Sequence, residues 1–574
     1  MASTGRRTRS TPRRSIGVVA LCAVAITGCS GSTKPPPSPE YSSISGVPSG
    51  FLTVIGDPEA ALRSIAASTA FFDRSDIVVT AAAGDAGAQV LAASVAVRLG
   101  TPLLLIDPAS AEALDNELVR LATGVVLEIG DGSGSSTEAA PAGATPPTTV
   151  RVSATVDAVE QALDSLPDAP RGETPRQTPT PEEAVTAVAT LDGDAPLLLD
   201  LAPAAENGGP APSTPPAAEL DLAATTRPAA VVGALMIATD DPANVAGVAT
   251  ARAAGVQVRL TPVDSPNPQA SAELVATMAE DAPTAVVALG ESFAAESSLD
   301  WKVRSAMSGT QLPGGGQLIF PSHLLVALYG HPGAPVLGVL GEQDTEATLE
   351  RARQTAQSYA ALTERTVVPT LEIIASVASA EAGDDGDYSN EVPVEALRPL
   401  VEAAGAAGVY VVLDLQPGRT DFLTQAKIYE PLLSLPHVGL ALDPEWRLEV
   451  DQRHLVQIGS VEASEVNQVV GWLADLTAAN ALPQKLLVLH QFQNRMVAGR
   501  ESVDMSRDEL ALLIHVDGQG SQPAKQDTWR ALQVDAPAGI AWGWKNFYDE
   551  DTPPLSPEQT MTEVAPVPDL VTYQ

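Results

Sequence analysis

The stretch VGLALDPEWR at residues 438–447 shows the pattern on which the fold prediction rests. Its first five residues are apolar, and Asp443, Pro444 and Glu445 follow them directly. A short, continuous apolar run of this kind is typical of a strand buried on both faces of a parallel sheet. Acidic residues at the carboxyl end of such a strand lie at the edge where α/β barrels build their sites.

Apolar runs of the same kind recur through residues 321–574 and alternate with helical patterns. The length of this segment is close to the roughly 250 residues of a (β/α)8 barrel. We predict an α/β fold with a TIM barrel here. Only seven strands are recognisable, so the barrel is expected to be incomplete or to close through an irregular C-terminal segment. The predicted strands are residues 324–328, 371–375, 409–413, 438–442, 486–489, 510–514 and 540–542, with helices at 345–362, 393–404, 422–433, 463–479 and 527–532.

Polar or aromatic side chains follow six of the seven predicted strands. Residues two apart on a strand share a face, so parity shows which of these side chains can point into the barrel. One such residue alone would be interpreted as a loop residue in solvent, whereas their repetition at corresponding points favours a shared concave site. Parity assigns to this site Asp414, Asp443, His490, His515, Asp517, Trp542 and Trp544.

Carboxylates and tryptophans around a barrel mouth suit a carbohydrate ligand, because indole rings stack on sugar rings and carboxylates bind hydroxyls. Hydrolysis of a glycosidic bond needs two carboxyl groups roughly 5–10 Å apart whose environments separate their pKa values. We predict Asp443 or Glu445 as the acid, with Asp414 or Asp517 as the opposing carboxylate, and the sequence leaves both choices open. The expected substrate-binding residues are Glu372, His490, His515, Trp446, Trp542 and Trp544.

In architecture and in the placement of its acids, this half of the chain resembles the broad class of barrel glycoside hydrolases. The resemblance implies glycan hydrolysis, and the alternative is a non-catalytic wall-binding or scaffold protein whose barrel only recognises saccharide. The sequence holds no His-Glu-x-x-His helix, no cysteine cluster and no Gly-x-Ser-x-Gly elbow. We therefore predict no cofactor and no metal site. The acidic loop that carries Asp384, Asp385, Asp387 and Glu391 lacks the residue order of a calcium-binding EF-hand.

An internal repeat precedes the barrel. Residues 77–80 read as a buried strand, followed by the turn Gly84-Asp85, an Ala-rich helix and a second strand. A later copy runs through residues 235–291, and residues 195–200 echo a middle copy, so small βαβ units are predicted. Together with GTPLLLIDP at residues 100–108, these features resemble the type 2 cell-wall-binding repeat family of Gram-positive surface proteins. The resemblance implies three packed repeats that bind envelope polymers, and a generic α/β domain is the alternative.

The first thirty residues predict export. Five arginines precede an apolar run at residues 16–26, which is too short to span a bilayer and is typical of a signal peptide. The run ends in Ile26-Thr27-Gly28-Cys29, which resembles a bacterial lipobox. That resemblance implies cleavage before Cys29 and lipid modification of this residue, and an ordinary signal peptide is the alternative. Cys22, the other cysteine, would leave with the signal, so the mature chain would have no disulfide.

The chain carries 33 Lys and Arg against 71 Asp and Glu, a formal charge of −38. Such a surface repels phosphate backbones, so no nucleic-acid partner is predicted. The expected partners are an envelope polysaccharide or cell-wall polymer and, through a lipid on Cys29, the extracytoplasmic face of the cell membrane; the oligomeric state is left open. The predicted domains are a signal peptide at 1–28, a tether at 29–50, repeat-like regions at 51–150 and 151–320, and the barrel at 321–574.

Overall fold

The structure, a computed structural model, describes residues 41–130, 146–164, 174–202 and 225–574. All of these described residues belong to one compact unit. The predicted signal peptide, Cys29 and the first part of the predicted tether lie outside the described residues. Within the described ranges, no helix combines the length and the apolar character that crossing a bilayer would require.

Eight parallel strands close into a barrel in the C-terminal part of the chain, which confirms the predicted TIM-like fold. Each strand pairs with the next one along the chain, and the last pairs with the first. In chain order they are β1 (His323–Gly330), β2 (Thr366–Ala378), β3 (Tyr410–Leu415), β4 (Val438–Leu442), β5 (Lys485–Gln491), β6 (Leu510–Val516), β7 (Ala541–Asn546) and β8 (Leu570–Tyr573). The α-helices among them are Thr345–Gln357, Val394–Ala406, Phe422–Ile428, Glu430–Leu433, Ala463–Ala479, Gln522–Gln533 and Pro557–Glu563.

The expectation of an incomplete or irregularly closed barrel is wrong, because β8 completes the ring. This strand has only four residues and follows Pro566 and Pro568, so the segment reads as irregular in the sequence. It pairs with β7 on one side and with β1 on the other. Leu570 belongs to the core inside the barrel and Val571 to the core outside it, as the alternation of a strand requires.

The alternation of side chains separates two apolar cores around the barrel wall. Inward side chains such as Val412, Val488 and Leu513 fill the interior, and outward ones pack against the surrounding helices. Because inward positions are two residues apart, the last inward position of each strand lies at its carboxyl end, above this apolar filling. The ends of the strands therefore determine what the mouth of the barrel contains.

Two four-stranded parallel sheets lie before the barrel, as the predicted βαβ units require. In spatial order the first sheet contains Leu103–Ile106, Ile77–Ala82, Val125–Ile129 and Thr148–Val152, and the second contains Gln257–Thr261, Ala234–Thr239, Ala285–Leu289 and Leu52–Ile55. The predicted middle copy is reduced to the pair Arg176–Gln177 and Leu198–Leu199. A three-stranded sheet of Thr225–Thr226, Tyr41–Ser45 and Phe72–Ser75 accompanies them.

Ala-rich helices pack between these sheets because small side chains allow close approach. In the helix Ala86–Leu99, the side chain of Asp85 accepts a hydrogen bond from the Ala88 amide, and Gly100 ends the helix in the left-handed conformation at φ 67°. The α-helices of this region are Ala60–Phe71, Ala86–Leu99, Ala111–Arg120, Val156–Asp164, Ala184–Ala189, Val245–Ala253, Ala272–Asp281, Glu291–Ala295 and Leu299–Ser308.

Buried hydroxyl groups join the repeat copies to one another. The backbone amide of Leu103 donates to Thr250 Oγ1 in the later copy at 3.1 Å, and the Leu199 amide donates to Ser94 Oγ at 2.9 Å. These strand edges would otherwise hold buried, unpaired amides, which cost free energy. The copies therefore form one body rather than separate modules.

The helix Leu299–Ser308 connects the repeats to the amino end of the barrel. The Trp301 indole nitrogen and Ser305 Oγ both donate to the carbonyl oxygen of Leu482, each at 3.0 Å. Lys302 Nζ lies 2.6 Å from Asp508. Since Leu482 and Asp508 precede β5 and β6, the repeats are attached at the end of the barrel opposite its mouth.

The closure by β8 predicts a specific loss of stability. Leu570→Ala should lower the free energy of unfolding by about 2–5 kcal/mol, because a fully buried leucine inside the barrel leaves a cavity. Val567→Ala, at a position 44% exposed, should change it by less than about 0.5 kcal/mol. Urea unfolding followed by far-ultraviolet circular dichroism measures both, and equal effects of the two variants would show that β8 does not close the barrel.

Candidate active site at the mouth of the barrel

Every strand of the barrel delivers one inward polar side chain at its carboxyl end. These side chains meet in one layer above the apolar filling, so the segments that parity singled out do share one hollow. Those of β1 to β4 are acidic or phenolic, whereas those of β5 to β8 are imidazoles, an ammonium group and a hydroxyl. In strand order they are Tyr329, Glu372, Asp414, Asp443, His490, His515, Lys545 and Thr572.

The imidazole of His490 lies at the centre of this layer. Its Nε2 is 2.8 Å from Glu372 Oε1 and 3.8 Å from Asp414 Oδ1, and its Nδ1 is 2.9 Å from Asp517 Oδ2. His515, the neighbour of His490 in the strand register, places its Nδ1 3.7 Å from Glu372 Oε1. His490 therefore contacts carboxylates from β2, from β3 and from the loop after β6.

Hydroxyl groups hold the outer oxygens of the same carboxylates. The phenol of Tyr329 donates to Asp414 Oδ2 at 2.8 Å, and Thr572 Oγ1 donates to Glu372 Oε2 at 3.3 Å. Lys545 Nζ lies 3.6 Å from the centroid of the Tyr329 ring. Tyr329 and Thr572 therefore fix the orientation of the Asp414 and Glu372 carboxylates, and Lys545 contacts the Tyr329 ring.

A cavity of about 370 Å³ opens above this layer. The loop after β4 forms one wall, where a 3-10 turn, Pro444–Trp446, begins with the Asp443 carboxylate accepting a hydrogen bond from the Glu445 amide at 3.0 Å. Glu372, Asp414, His490 and His515 are fully buried and lie beneath the cavity rather than along it. The side chains that line it include Asp443, Glu445, Trp446, Phe492, Asp517, Lys545 and Phe547.

The histidines keep two of the carboxyl groups ionised. Burial alone would raise the pKa of Glu372, but the His515 and His490 imidazoles hold it well below its usual range. Burial would likewise raise the pKa of Asp517, and the hydrogen bond and charge of His490 lower it. The pKa of His490 itself is well above its ordinary value: burial lowers it, but the Glu372 and Asp414 charges raise it by more.

The carboxyl groups on the opposite side have raised pKa values. Burial raises the pKa of Asp443 well above its ordinary value, and it raises that of Asp414 to about 6. Burial and the charge of Asp517 raise the pKa of Glu445 to about 7. One cavity therefore contains protonated and ionised carboxyl groups at neutral pH, which is the separation that acid and base roles require.

The predicted positions of Trp542 and Trp544 are wrong. Both rings pack against Trp529 of the helix Gln522–Gln533, at centroid distances of 5.8 and 5.5 Å, on the outer face of the barrel. The inward face of β7 belongs to Gly543 and Lys545, and a Cβ atom on Gly543 would lie 2.9 Å from the His515 ring. Two indoles have no room there, so they face the helices.

Trp446 lies in the cavity wall as predicted, beside the His454 ring at a centroid distance of 5.3 Å. Tyr329, Lys545 and Thr572 are not among the predicted site residues. Tyr329 and Lys545 stand at the ends of β1 and β7, so the rule that selected the acids would have found them had it included every polar residue type. The sequence gives no comparable signal for Thr572, because the short strand β8 that carries it is not recognisable from the pattern of apolar residues.

Among the described residues, the loop acids Asp385, Asp387 and Glu391 place carboxylate oxygens within 4.8 Å of one another. Asp387 uses both of its oxygens inside the protein, accepting from the Ser389 amide at 2.8 Å and from Thr420 Oγ1 at 2.9 Å. These contacts order the loop beside β2 and β3.

Fold and site together define a (β/α)8-barrel protein with an acidic, histidine-centred cavity at its mouth, preceded by packed βαβ repeats. No protein-family model matches the chain, and no curated protein matches it. Among solved structures, the chain is similar to Cwp6 from Clostridium difficile at 14% identity and a TM-score of 0.33, over 65% of this chain and 66% of that one. It is also similar to CcCel6C, a glycoside hydrolase family 6 enzyme from Coprinopsis cinerea, at 13% identity and a TM-score of 0.18, over 48% and 69%. Similarities of this size assign neither a family nor an activity.

The raised pKa of Glu445 predicts how stability depends on pH. Folding favours its protonated form, so this stabilisation is complete below the unfolded pKa of about 4.3 and is lost as pH rises through about 7. The melting temperature of the wild type should therefore fall relative to that of Glu445→Gln between about pH 4.5 and pH 7.5. The exposed Glu449→Gln should follow the wild type. Parallel curves for the wild type and Glu445→Gln would contradict the assignment.

Proposed function

We propose that this protein binds an envelope carbohydrate in the barrel cavity and hydrolyses a glycosidic bond there. The observation that carries the proposal is the composition of the cavity wall, where one aromatic face, Trp446, adjoins carboxyl groups from two different loops. A flat apolar face with hydrogen-bonding acids around it is what a sugar ring requires. The volume of about 370 Å³ accommodates a ligand of this size.

Asp443 and Glu445 are the proposed proton donors. Both line the cavity, and burial keeps both protonated near neutral pH, as a general acid must be. Protonation of the glycosidic oxygen lets the leaving sugar depart as an alcohol while positive charge develops on the remaining ring. The broken bond at the anomeric carbon is replaced either by a bond to a water that the opposing carboxylate deprotonates, or by a bond to that carboxylate, from which water then releases the sugar.

Asp517 is the proposed opposing carboxylate. It reaches the cavity from the loop after β6, and its Oδ1 has no hydrogen-bond partner among the described residues. Its other oxygen is held by His490 at 2.9 Å, which fixes the direction of the free one. Asp414 is a weaker candidate, because it is fully buried beneath the cavity and is engaged by Tyr329.

The location that we propose is the extracytoplasmic face of the cell membrane, through a lipid on Cys29, with the repeats in contact with cell-wall polymer. The basic, apolar and Ile26–Cys29 segments support export and lipidation. Attachment of the repeats to the amino end of the barrel supports the arrangement, because it leaves the mouth free for a polymer chain.

A non-catalytic saccharide receptor is the second candidate. It is favoured by the internal hydrogen bonds of Glu372 and Asp414, which hold these two acids away from any ligand in the cavity. The two candidates differ in one observable, the release of new reducing ends.

Purified full-length protein incubated with isolated bacterial cell-wall polysaccharide should release reducing ends. Replacement of the proton donor, by Asp443→Asn or Glu445→Gln, should slow the release by about 10²–10⁴-fold, because the leaving oxygen loses its acid. Glu449→Gln is the matched control, an exposed carboxylate in the same loop.

Calorimetric titration with the same polysaccharide separates binding from cleavage. Trp446→Ala should weaken binding, whereas Trp472→Ala, on the helix Ala463–Ala479 outside the cavity, should not. Binding without release in the wild type would support the receptor, and release at the wild-type rate from both acid variants would remove Asp443 and Glu445 from the mechanism.

Lipid anchoring has its own test in a bacterial host that processes lipoproteins. Cys29→Ala should move the protein from the membrane fraction to the soluble or secreted fraction, because the thiol that accepts the lipid is lost. Cys22→Ala, inside the predicted signal, should leave the fractionation unchanged. Membrane association that survives Cys29→Ala would contradict the lipid anchor.

A further inference from the structure

Donor atoms of three buried side chains converge beneath the cavity, and a fourth buried acid lies beside one of them. Glu372 Oε1 and one ring nitrogen each of His490 and His515 lie within 4.8 Å of one another, and Asp414 Oδ1 lies 3.8 Å from His490 Nε2. All four side chains are fully buried. They come from β2, β3, β5 and β6, so rigid strands fix their positions.

Two of these four side chains carry buried polar atoms without a hydrogen-bond partner among the described residues. Neither ring nitrogen of His515, nor Asp414 Oδ1, has a hydrogen-bond partner among the residues that the structure describes. Buried polar atoms are nearly always paired, since burial without a partner costs free energy. An imidazole with both nitrogens unpaired, within 4.8 Å of a carboxylate oxygen and of a second imidazole nitrogen, indicates a group that it binds.

The other carboxylate oxygens of the cluster and the Nδ1 atom of His490 form hydrogen bonds with neighbouring side chains. Thr572 Oγ1 donates to Glu372 Oε2 at 3.3 Å, and the Tyr329 phenol donates to Asp414 Oδ2 at 2.8 Å. His490 Nδ1 is 2.9 Å from Asp517 Oδ2 and its Nε2 is 2.8 Å from Glu372 Oε1, so a bound ion would take the place of the proton between these last two atoms. In metal sites of proteins, the ligating imidazoles donate a hydrogen bond to a carboxylate or carbonyl, and the ligating carboxylates accept hydrogen bonds in turn. The contacts of His490 and Glu372 follow this pattern.

We propose that Glu372, His490 and His515 bind one divalent transition-metal ion, with Zn²⁺ as the best match. Two imidazole nitrogens and one carboxylate oxygen form a donor set that suits Zn²⁺ with a fourth position open, and the imidazoles disfavour Ca²⁺ and Mg²⁺. Ligands about 2.0–2.2 Å from a tetrahedral ion are separated by roughly 3.3–3.6 Å. Glu372 Oε1 lies 2.8 Å from His490 Nε2, below that range, and 3.7 Å from His515 Nδ1, just above it.

The charges of the cluster agree with a dication. The Glu372 carboxylate is fully buried, and a doubly charged ion beside it would supply opposite charge. The ion would also fix His490 and, through it, Asp517 at the cavity wall. The proposal goes beyond the saccharide site, because binding and acid catalysis in the cavity do not require it.

Full-length protein that has been stripped with a chelator and dialysed against Zn²⁺ should retain one ion per chain by elemental analysis. Glu372→Gln and His515→Gln should each weaken Zn²⁺ binding at least about hundredfold in calorimetric titrations, and Asp517→Asn about 10–100-fold through His490. The double variant Asp385→Asn/Glu391→Gln removes the other acidic cluster and should bind Zn²⁺ as the wild type does.

Absence of a stoichiometric ion from the wild type would overturn the proposal, as would undiminished binding in both ligand variants. Circular dichroism shows whether each variant is folded. Should the ligand variants fail to fold, anomalous scattering at the zinc edge from crystals of the wild type decides the question. An ion between His490 and His515 supports the site, and an ion anywhere else overturns it.

Discussion

The contact between His490 and the carboxylates of Glu372 and Asp517 is the constraint on which the mouth of the barrel depends. These acids come from β2 and from the loop after β6, and without a partner between them they would be buried charges in a space without water. The imidazole joins them, and the apolar filling below leaves no other place for them. The acids of the mouth thus fall into two sets: Glu372 and Asp414 lie beneath the cavity, and Asp443, Glu445 and Asp517 line it.

That division gives the two layers different tasks. The lower layer is fixed in place, because Glu372 is held by His490 and Thr572, and Asp414 by Tyr329, all from other strands. Above it, Glu445 and Trp446 belong to the loop after β4 and line the cavity together with Asp443. A binding site needs side chains that contact the ligand and further side chains that hold the first ones in position. In this barrel both kinds come from the carboxyl ends of the strands and the loops that follow them. The repeats contribute at the other end of the barrel, where Trp301 and Lys302 attach them.

Much of this arrangement could be predicted from the sequence, because continuous apolar runs identify buried parallel strands and the residue after each run is the one that reaches the mouth. Asp414, Asp443, His490 and His515 were placed in this way. Parity tells which residues of a strand share a face, but not which face is inside. On β7 the prediction that Trp542 and Trp544 face inward is wrong, because the available volume decides which face is inside: the interior beside His515 accepts only Gly543 and the narrow stem of Lys545. The short β8 gives no periodic signal, and the convergence of donors from separate strands leaves no local motif.

The most direct measurement is a crystal structure of the full chain with an oligosaccharide from the bacterial cell wall. The account predicts a sugar ring stacked on Trp446, with its glycosidic oxygen within hydrogen-bond reach of Asp443 or Glu445. An oligosaccharide bound only on the βαβ repeats, with the barrel cavity empty, would contradict it.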